Sequence, residues 1–393
     1  MLALKSVTQP YSPSPLIKDL MKRYIDAINL CIDIAIEKNI TSKNSLSNEA
    51  YKIISRYNLP SYYYVEIINK AIALVKTYRK RLRKGQKASK PRVSKLTLSS
   101  YYGFKIDGEY LFIPIPNKKY RNSYEKIELN NYVRGKISNV EVRSFTISDG
   151  RLSLTIRKKA PLIECNNTVG IDRNIRNITV GNEYHYKRYD TSEVVKIKNR
   201  YRKKESHFKR NDRRIKKKIK AKYGRRSSNR VNQILHKISK DIVMDAIKNN
   251  EAIVLENIKG IRNITKKGDY KGKDYRFLFN NAFPYGKLEF QIKYKCAWEG
   301  LPVIELSRED TRNTSRTCSV CGSLTRIEHG RILHCDKCGL TIDRDINASI
   351  NISKRGRTWL KRSQPNEGLK GPSSEAMIQS KDGEQMMVSR ILK

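Results

Sequence analysis

Four cysteines and three acids are the residues of this sequence whose types and spacing could do chemistry. Cys318-Ser-Val-Cys321 is followed, after thirteen residues, by Cys335-Asp-Lys-Cys338. Two such knuckles offer four thiolates at the spacing of a tetrahedral Zn²⁺ site. Gly322 and Gly339 follow the two pairs, where each turn must close. All four ligand places are taken by sulfur and none is left for water, so the expected zinc is structural rather than catalytic. Cys31, Cys165 and Cys296 are scattered and read as buried thiols of a reducing compartment.

Asp172 ends the apolar run Val169-Gly-Ile171, and Glu256 ends Ile253-Val-Leu255. An ionised carboxylate at the end of an apolar strand is costly unless something positive holds it. Asp345 precedes Ile346-Asn-Ala-Ser-Ile350, a helix start, where the helix dipole also favours an acid. Two acids from neighbouring strands and one from a helix can converge on a pair of divalent cations, the arrangement that hydrolyses phosphodiesters. Oxygen ligands without histidine suit Mg²⁺ or Mn²⁺. The spacing leaves a plainer account open, in which Asp343 or Asp345 caps a helix and Glu256 pairs with a lysine.

The elements that must position these groups follow from periodicity. Residues 15–95 read as helical, with Ile17, Leu20, Met21, Tyr24, Ile28 and Cys31 at helical spacing behind the start signal Ser14-Pro15. A second helical stretch runs from Tyr62 to Leu82. Between residues 100 and 160, Asp107-Gly108 and Asp149-Gly150 each separate two apolar runs, which predicts hairpins. Ala3 to Thr8 adds a strand to that module. Strands are expected around Asp172, near Tyr184 to Tyr189, at Glu251 to Glu256 and at Leu301 to Leu306, and helices at Ile234 to Ala246 and Leu288 to Trp298. Residues 196–230 form a basic helical stretch with 18 Lys and Arg against Glu205 and Asp212. Beyond Ser353 no period is visible, and residues 354–393 read as a polar, flexible tail.

The 393 residues carry 82 Lys and Arg against 38 Asp and Glu, a net charge of +44. A compact protein gains nothing from such self-repulsion, and a polyanion, nucleic acid above all, neutralises it. The unmixed charge of residues 196–230 points to phosphates rather than to an ordinary solvated surface, since like charges at i,i+4 repel. Tyr62, Tyr63 and Tyr64 are adjacent, and some tyrosines are available for base stacking, though most read as half-buried packing residues. No apolar run reaches membrane-spanning length and no signal peptide is recognisable, so a cytoplasmic protein without a membrane partner is expected.

Val169-Gly-Ile-Asp172, Ile253-Val-Leu-Glu256-Asn, the two cysteine knuckles and Asp343-Arg-Asp345-Ile-Asn-Ala348 stand in the order seen in TnpB proteins. The chain resembles this family of insertion-sequence proteins, relatives of the compact type V CRISPR nucleases, from about Val169 to Ile352. The resemblance implies an α+β multidomain fold. A wedge-like β-barrel would comprise residues 1–14 and 96–165 and carry a helical recognition insertion at 15–95. An RNase H-like (RuvC) nuclease domain would span 166–312 and 340–353, split by a zinc ribbon at 313–339. It implies catalytic, Mg²⁺-binding Asp172, Glu256 and Asp345, with Asp345 selected over Asp343 by the pattern Asp345-Ile-Asn347-Ala348. It further implies zinc on Cys318, Cys321, Cys335 and Cys338. The partners would be a guide RNA from the transposon end and double-stranded DNA cut beside a short adjacent motif, in a prokaryotic, nucleoid-associated monomer or dimer. Arg331, four residues before Cys335, is expected near the scissile phosphate or in a zinc-loop contact. Arg173-Asn174 departs from the smaller or apolar residues that many relatives carry after the first aspartate. An RNase H-fold transposase acting without RNA, and a nuclease-dead RNA-guided repressor, are the competing readings; the presence of all three acids argues against the second.

Overall fold

A computed structural model describes residues 2–116, 123–207, 213–258, 260 and 272–363, in two compact units that meet in sequence at Lys159 and Ala160. In the first unit, β1 (Leu2–Tyr11) leads into α1 (Pro15–Glu37), α2 (Lys43–Ile54) and α3 (Tyr64–Arg83). Ser14 caps α1 by accepting from the Ile17 amide, and Pro15 occupies the first turn. The apolar stripe of α1 packs on Ile67, Ile68, Ala71 and Val75 of α3. Strands β2 (Thr97–Ser100), β6 (Glu141–Ser148) and β7 (Gly150–Lys159) join β1 in an antiparallel sheet of order β1-β7-β6-β2. β3 (Lys105–Asp107), β4 (Tyr110–Ile115) and β5 (Ser123–Glu128), followed by α4 (Asn131–Ile137), form a separate three-stranded sheet. Both expected hairpin turns are present, with Gly108 at φ +54° and Gly150 at φ +78°, backbone that side chains resist.

Among the described residues, the strands of this unit pair in two separate sheets. The helices of residues 15–95 belong to the same compact unit as those sheets: Tyr24 on α1 hydrogen-bonds Ser99 on β2, and the Tyr63 hydroxyl donates to the Pro114 carbonyl. The unit ends at Lys159, before the expected boundary at residue 165.

The second unit holds a five-stranded mixed sheet of order β10-β9-β8-β11-β12. Its strands are β8 (Asn167–Arg173), β9 (Asn177–Gly181), β10 (Tyr186–Asp190), β11 (Glu251–Leu255) and β12 (Val303–Glu305). β8 pairs antiparallel with β9 but parallel with β11, which pairs parallel with β12. Every residue of β11 is buried, as a strand covered on both faces requires. Ile253 and Leu255 face a core built with Val169, Ile171, Leu235, Ile242, Leu288 and Ile292, whereas Val254 faces the other way onto Ile352. The basic stretch belongs to two helices, α5 (Ser192–Ser206) and α6 (Arg213–Lys248), and residues 208–212 lie outside the described ones. α7 (Gly272–Phe277), α8 (Tyr285–Glu299) and the short α9 (Arg308–Thr311) complete this part. A three-stranded sheet of β13 (Arg326–His329), β14 (Ile332–His334) and β15 (Thr341–Asp343) precedes α10 (Arg344–Ser363). Thus the sheet that carries the second knuckle extends to Asp343, beyond residue 339. The helix after it continues ten residues past Ser353, where a tail was expected; residues 364–393 lie outside the described ones. No helix among the described residues is long and apolar enough to cross a membrane.

α10 lies against the backbone of β8. A Cβ on Gly170 would sit 2.2 Å from the Ser349 carbonyl oxygen and 2.6 Å from the Ser353 nitrogen. Gly170→Ala is therefore expected to cost about 1–3 kcal/mol or more, seen as a lowered melting temperature. Gly224→Ala, on α6 with nothing within 4 Å of the added carbon, is expected to gain up to about 1 kcal/mol.

Candidate functional site

The sheet register explains how three acids distant in sequence reach one place. Ile171 pairs with Leu255 across the parallel strands β8 and β11, so Asp172 and Glu256 leave the same carboxyl edge side by side. Thr168 on β8 hydrogen-bonds Ser353 on α10, and Gly170 stands against Ser349. Two residues along a strand and four along a helix both advance about 6 Å. Continuing the same steps puts Asp172 opposite Asp345. Glu256 and Asp345 both act on the Asp172 carboxyl: burial first, and then these two acids, push it well above the usual carboxylate range. Burial also raises Glu256, against the pull of Arg173.

Each carboxylate is held. The Asn174 amide donates to Asp172 at 2.6 Å, and Asn177 donates to Asp345 at 3.0 Å. Arg331, in the turn between β13 and β14, pairs with the other oxygen of Asp345, and its carbonyl accepts from the Arg344 amide at 2.8 Å. Asp343 takes the capping role, accepting from the Asp345 and Ile346 amides, and pairs with Arg188. Asp345 is left with its side chain 3% exposed and near enough to Asp172 for its charge to raise that carboxyl. Glu256 pairs with Arg173, not with a lysine.

The four cysteines come together. Their sulfurs all lie within 4.8 Å of one another. Cys318 and Cys338 stand 3.6 Å apart, and Cys321 and Cys335 3.4 Å. Gly322 and Gly339 adopt φ +77° and +74°, and their amides donate back to the Cys318 and Cys335 carbonyls. The set fits a Cys₄ zinc site. Asn347, fully buried two residues after Asp345, accepts from the Ser319 amide and donates to the Thr317 carbonyl. It thereby ties the first knuckle to the helix that carries the third acid.

Sequence reasoning noted Arg173-Asn174 only as a departure after the first aspartate, and it missed Asn177, which holds Asp345, and Glu289, which holds Arg173. The polar run Arg173-Asn174 directly after an apolar strand was the available signal.

The fold and site define an α+β protein whose mixed sheet gathers three acids at one edge and whose cysteine-knuckle insertion leads into the helix bearing the third. The family model described as the Cas12f1-like TNB domain matches residues 285–352, and that of the uncharacterized protein MJ0013 family matches residues 20–100. The TnpB-like protein MJ0751 of Methanocaldococcus jannaschii is 35% identical over 132 residues, which span 34% of this chain and 45% of that protein. The TnpB-like protein MJ1635 of the same organism is 24% identical over 87% of this chain and 82% of its own length. A solved Cas12f1–sgRNA–target DNA complex shares the fold at a TM-score of 0.53 and 15% identity, covering 86% of this chain and 81% of that one. The chain is thus similar to TnpB-like proteins, and it spans less than half the length of MJ0751.

Proposed function

We propose that this chain is an RNA-guided endonuclease that cuts double-stranded DNA beside a short adjacent motif, with Asp172, Glu256 and Asp345 as catalytic acids. In this reading the second unit is an RNase H-like (RuvC) nuclease and the first combines wedge and recognition functions. The observation that carries it is the convergence of the three carboxylates at the carboxyl edge of β8 and β11, the edge at which α/β sheets place their ligands. Three acids in one partly buried place repel one another, and hard oxygen donors of this kind fit Mg²⁺ or Mn²⁺. When bound, the cations would activate water and stabilise the departing 3′-oxygen. The chain's own part is to aim the carboxylates: Asn174 and Asn177 fix one oxygen each of Asp172 and Asp345. Arg331 sits beside them as a cation available to a phosphate. The Cys₄ cluster would hold a structural zinc.

Guide RNA and target DNA are the proposed partners. The net charge of +44 and the basic helices α5 and α6 supply the phosphate-neutralising surface. Sequence would be read by guide pairing, and only the short motif by protein. The relatives' names and the Cas12f1 complex agree with this reading.

The test is a plasmid cleavage assay. The protein is purified with the RNA it acquires when expressed beside its flanking DNA, then given Mg²⁺ and a guide-matched target next to randomised bases. Depletion of one short motif, lost after RNase treatment and in Glu256→Gln, is the expected outcome. Cutting that survives RNase would point to a transposase instead. Absence of both RNA and cutting would leave a nucleic-acid-binding module.

A further inference from the structure

Arg173 follows the first acid, and its side chain is completely buried. A buried guanidinium is expensive unless its donors and its charge are met. Here Nη2 donates to the Glu256 backbone carbonyl at 2.5 Å, and Nη1 donates to Glu289 on α8 at 2.8 Å. The Arg173 amide donates to Glu256 Oε1 at 3.2 Å, and its Nε stands 3.7 Å from the same oxygen. Glu289 in turn accepts from Lys293 at 2.7 Å, and Lys293 pairs with Glu305 on β12 at 2.7 Å. Burial alone would raise the Glu289 carboxyl, but Lys293 and Arg173 outweigh it and hold it below the usual range.

An alternating chain of charges thus runs from Glu256 through Arg173, Glu289 and Lys293 to Glu305. We infer that Arg173, held by Glu289, is a positioning residue: it grips the backbone and one carboxylate oxygen of Glu256 and so presents the other oxygen to the divalent cations. The geometry favours this over simple stapling of α8 to the sheet. A staple needs only the Glu289 contact, whereas Arg173 also gives its backbone amide and Nη2 to Glu256 and leaves Nε, without a hydrogen bond of its own, 3.7 Å from Glu256 Oε1. Arginine suits the task because its fork serves two partners at fixed angles, which a lysine ammonium cannot copy.

This inference rests on the proposed nuclease reading, and its test separates the two. The full protein–RNA complex is compared as parent, Arg173→Met/Glu289→Met, Arg173→Lys and Glu256→Gln. The double variant removes both charges together and keeps apolar volume, so it is expected to fold. Two readouts are taken: the Mn²⁺ concentration for half-maximal cutting, and the Fe²⁺ concentration at which iron, ascorbate and peroxide cleave the polypeptide beside residues 172 and 256. In the double variant both concentrations are expected to rise about 10–100-fold, the usual cost of losing a group that orients a metal ligand, by more than the saturated rate falls. Arg173→Lys is expected to shift both in the same direction by less, and it decides the matter should the double variant not fold. Parental half-saturation in these variants overturns the positioning role and leaves a staple. Parental behaviour of Glu256→Gln in both readouts removes Glu256 from the site and the positioning role with it, whereas a parent complex that neither cuts nor is cleaved by iron beside residues 172 and 256 overturns the nuclease reading itself.

Discussion

Asp172→Asn is expected to lower DNA cutting by more than about 100-fold, the upper range for losing a group that merely orients a metal ligand, while raising the melting temperature of the metal-free protein. The two effects have one cause. The Asp172 carboxyl is buried and faces Glu256 and Asp345, and its folded-state affinity for a proton is raised well above that of the unfolded chain. A carboxyl raised in this way binds its proton more tightly when folded. It therefore subtracts stability once the pH exceeds its unfolded value, and the loss grows until the pH passes its folded value. Asparagine carries no charge at any of these pH values, so the penalty disappears. Its amide oxygen can still accept from Asn174, which now serves Asp172 at 2.6 Å. For a unit of this size each kcal/mol relieved raises the melting temperature by about 2–4 °C. A thermal scan in EDTA and a cleavage time course in Mg²⁺ check both halves. RNA and DNA binding should persist. Cutting near the parental rate would remove Asp172 from the chemistry, and an unchanged melting temperature would mean that the acids do not repel as their placement implies.

Asp172 and Glu256 drew notice because they end apolar strands, and the sheet aligns them through the single pairing of Ile171 with Leu255. The knuckles were legible because four sulfurs and two glycines leave few alternatives. The end of α10 was not. Its sheet-facing side carries Ser349, Ser353 and Gly356, all buried, because β8 and β11 approach too closely for larger side chains. A close contact made of small polar residues leaves no hydrophobic period, so residues after Ser353 read as a tail. Arg173 was hidden for a related reason. An arginine beside an acid gives no sign of its partner in the sequence, and only the fold brings Glu289 from α8 to neutralise it inside. The choice between Asp343 and Asp345 rested on resemblance. The cap geometry accounts for Asp343 without chemistry and leaves Asp345 near enough to Asp172 for its charge to raise that carboxyl.

Cys335→Ser is expected to abolish cutting as fully as Asp345→Ala, although Cys335 belongs to the knuckles and Asp345 to the acid site. The route is covalent and short. β14 ends at His334, one residue before Cys335, and pairs with β15, which runs into α10 at Arg344. Arg331, at the head of β14, pairs with Asp345 and accepts the Arg344 amide. Asn347 holds the first knuckle at Thr317 and Ser319, and Asn351 holds Thr314 and Thr317. This insertion is small and leaves Val320, Leu324 and Ile327 exposed, so it lacks a core that would keep it folded without metal. If the cluster holds zinc as proposed, losing one thiolate should release it, unfold the three strands and free Arg331 and the start of α10 together. Asn347→Ala should act more gently, since it leaves the sulfurs in place but strips a buried bracket worth about 1–3 kcal/mol. Zinc content by mass spectrometry, together with cutting rate, separates the cases. Cys335→Ser should lose both, and Asn347→Ala should keep the zinc and lose part of the rate. A Cys335→Ser protein that cuts normally after losing its zinc would show that Asp345 is positioned by α10 alone.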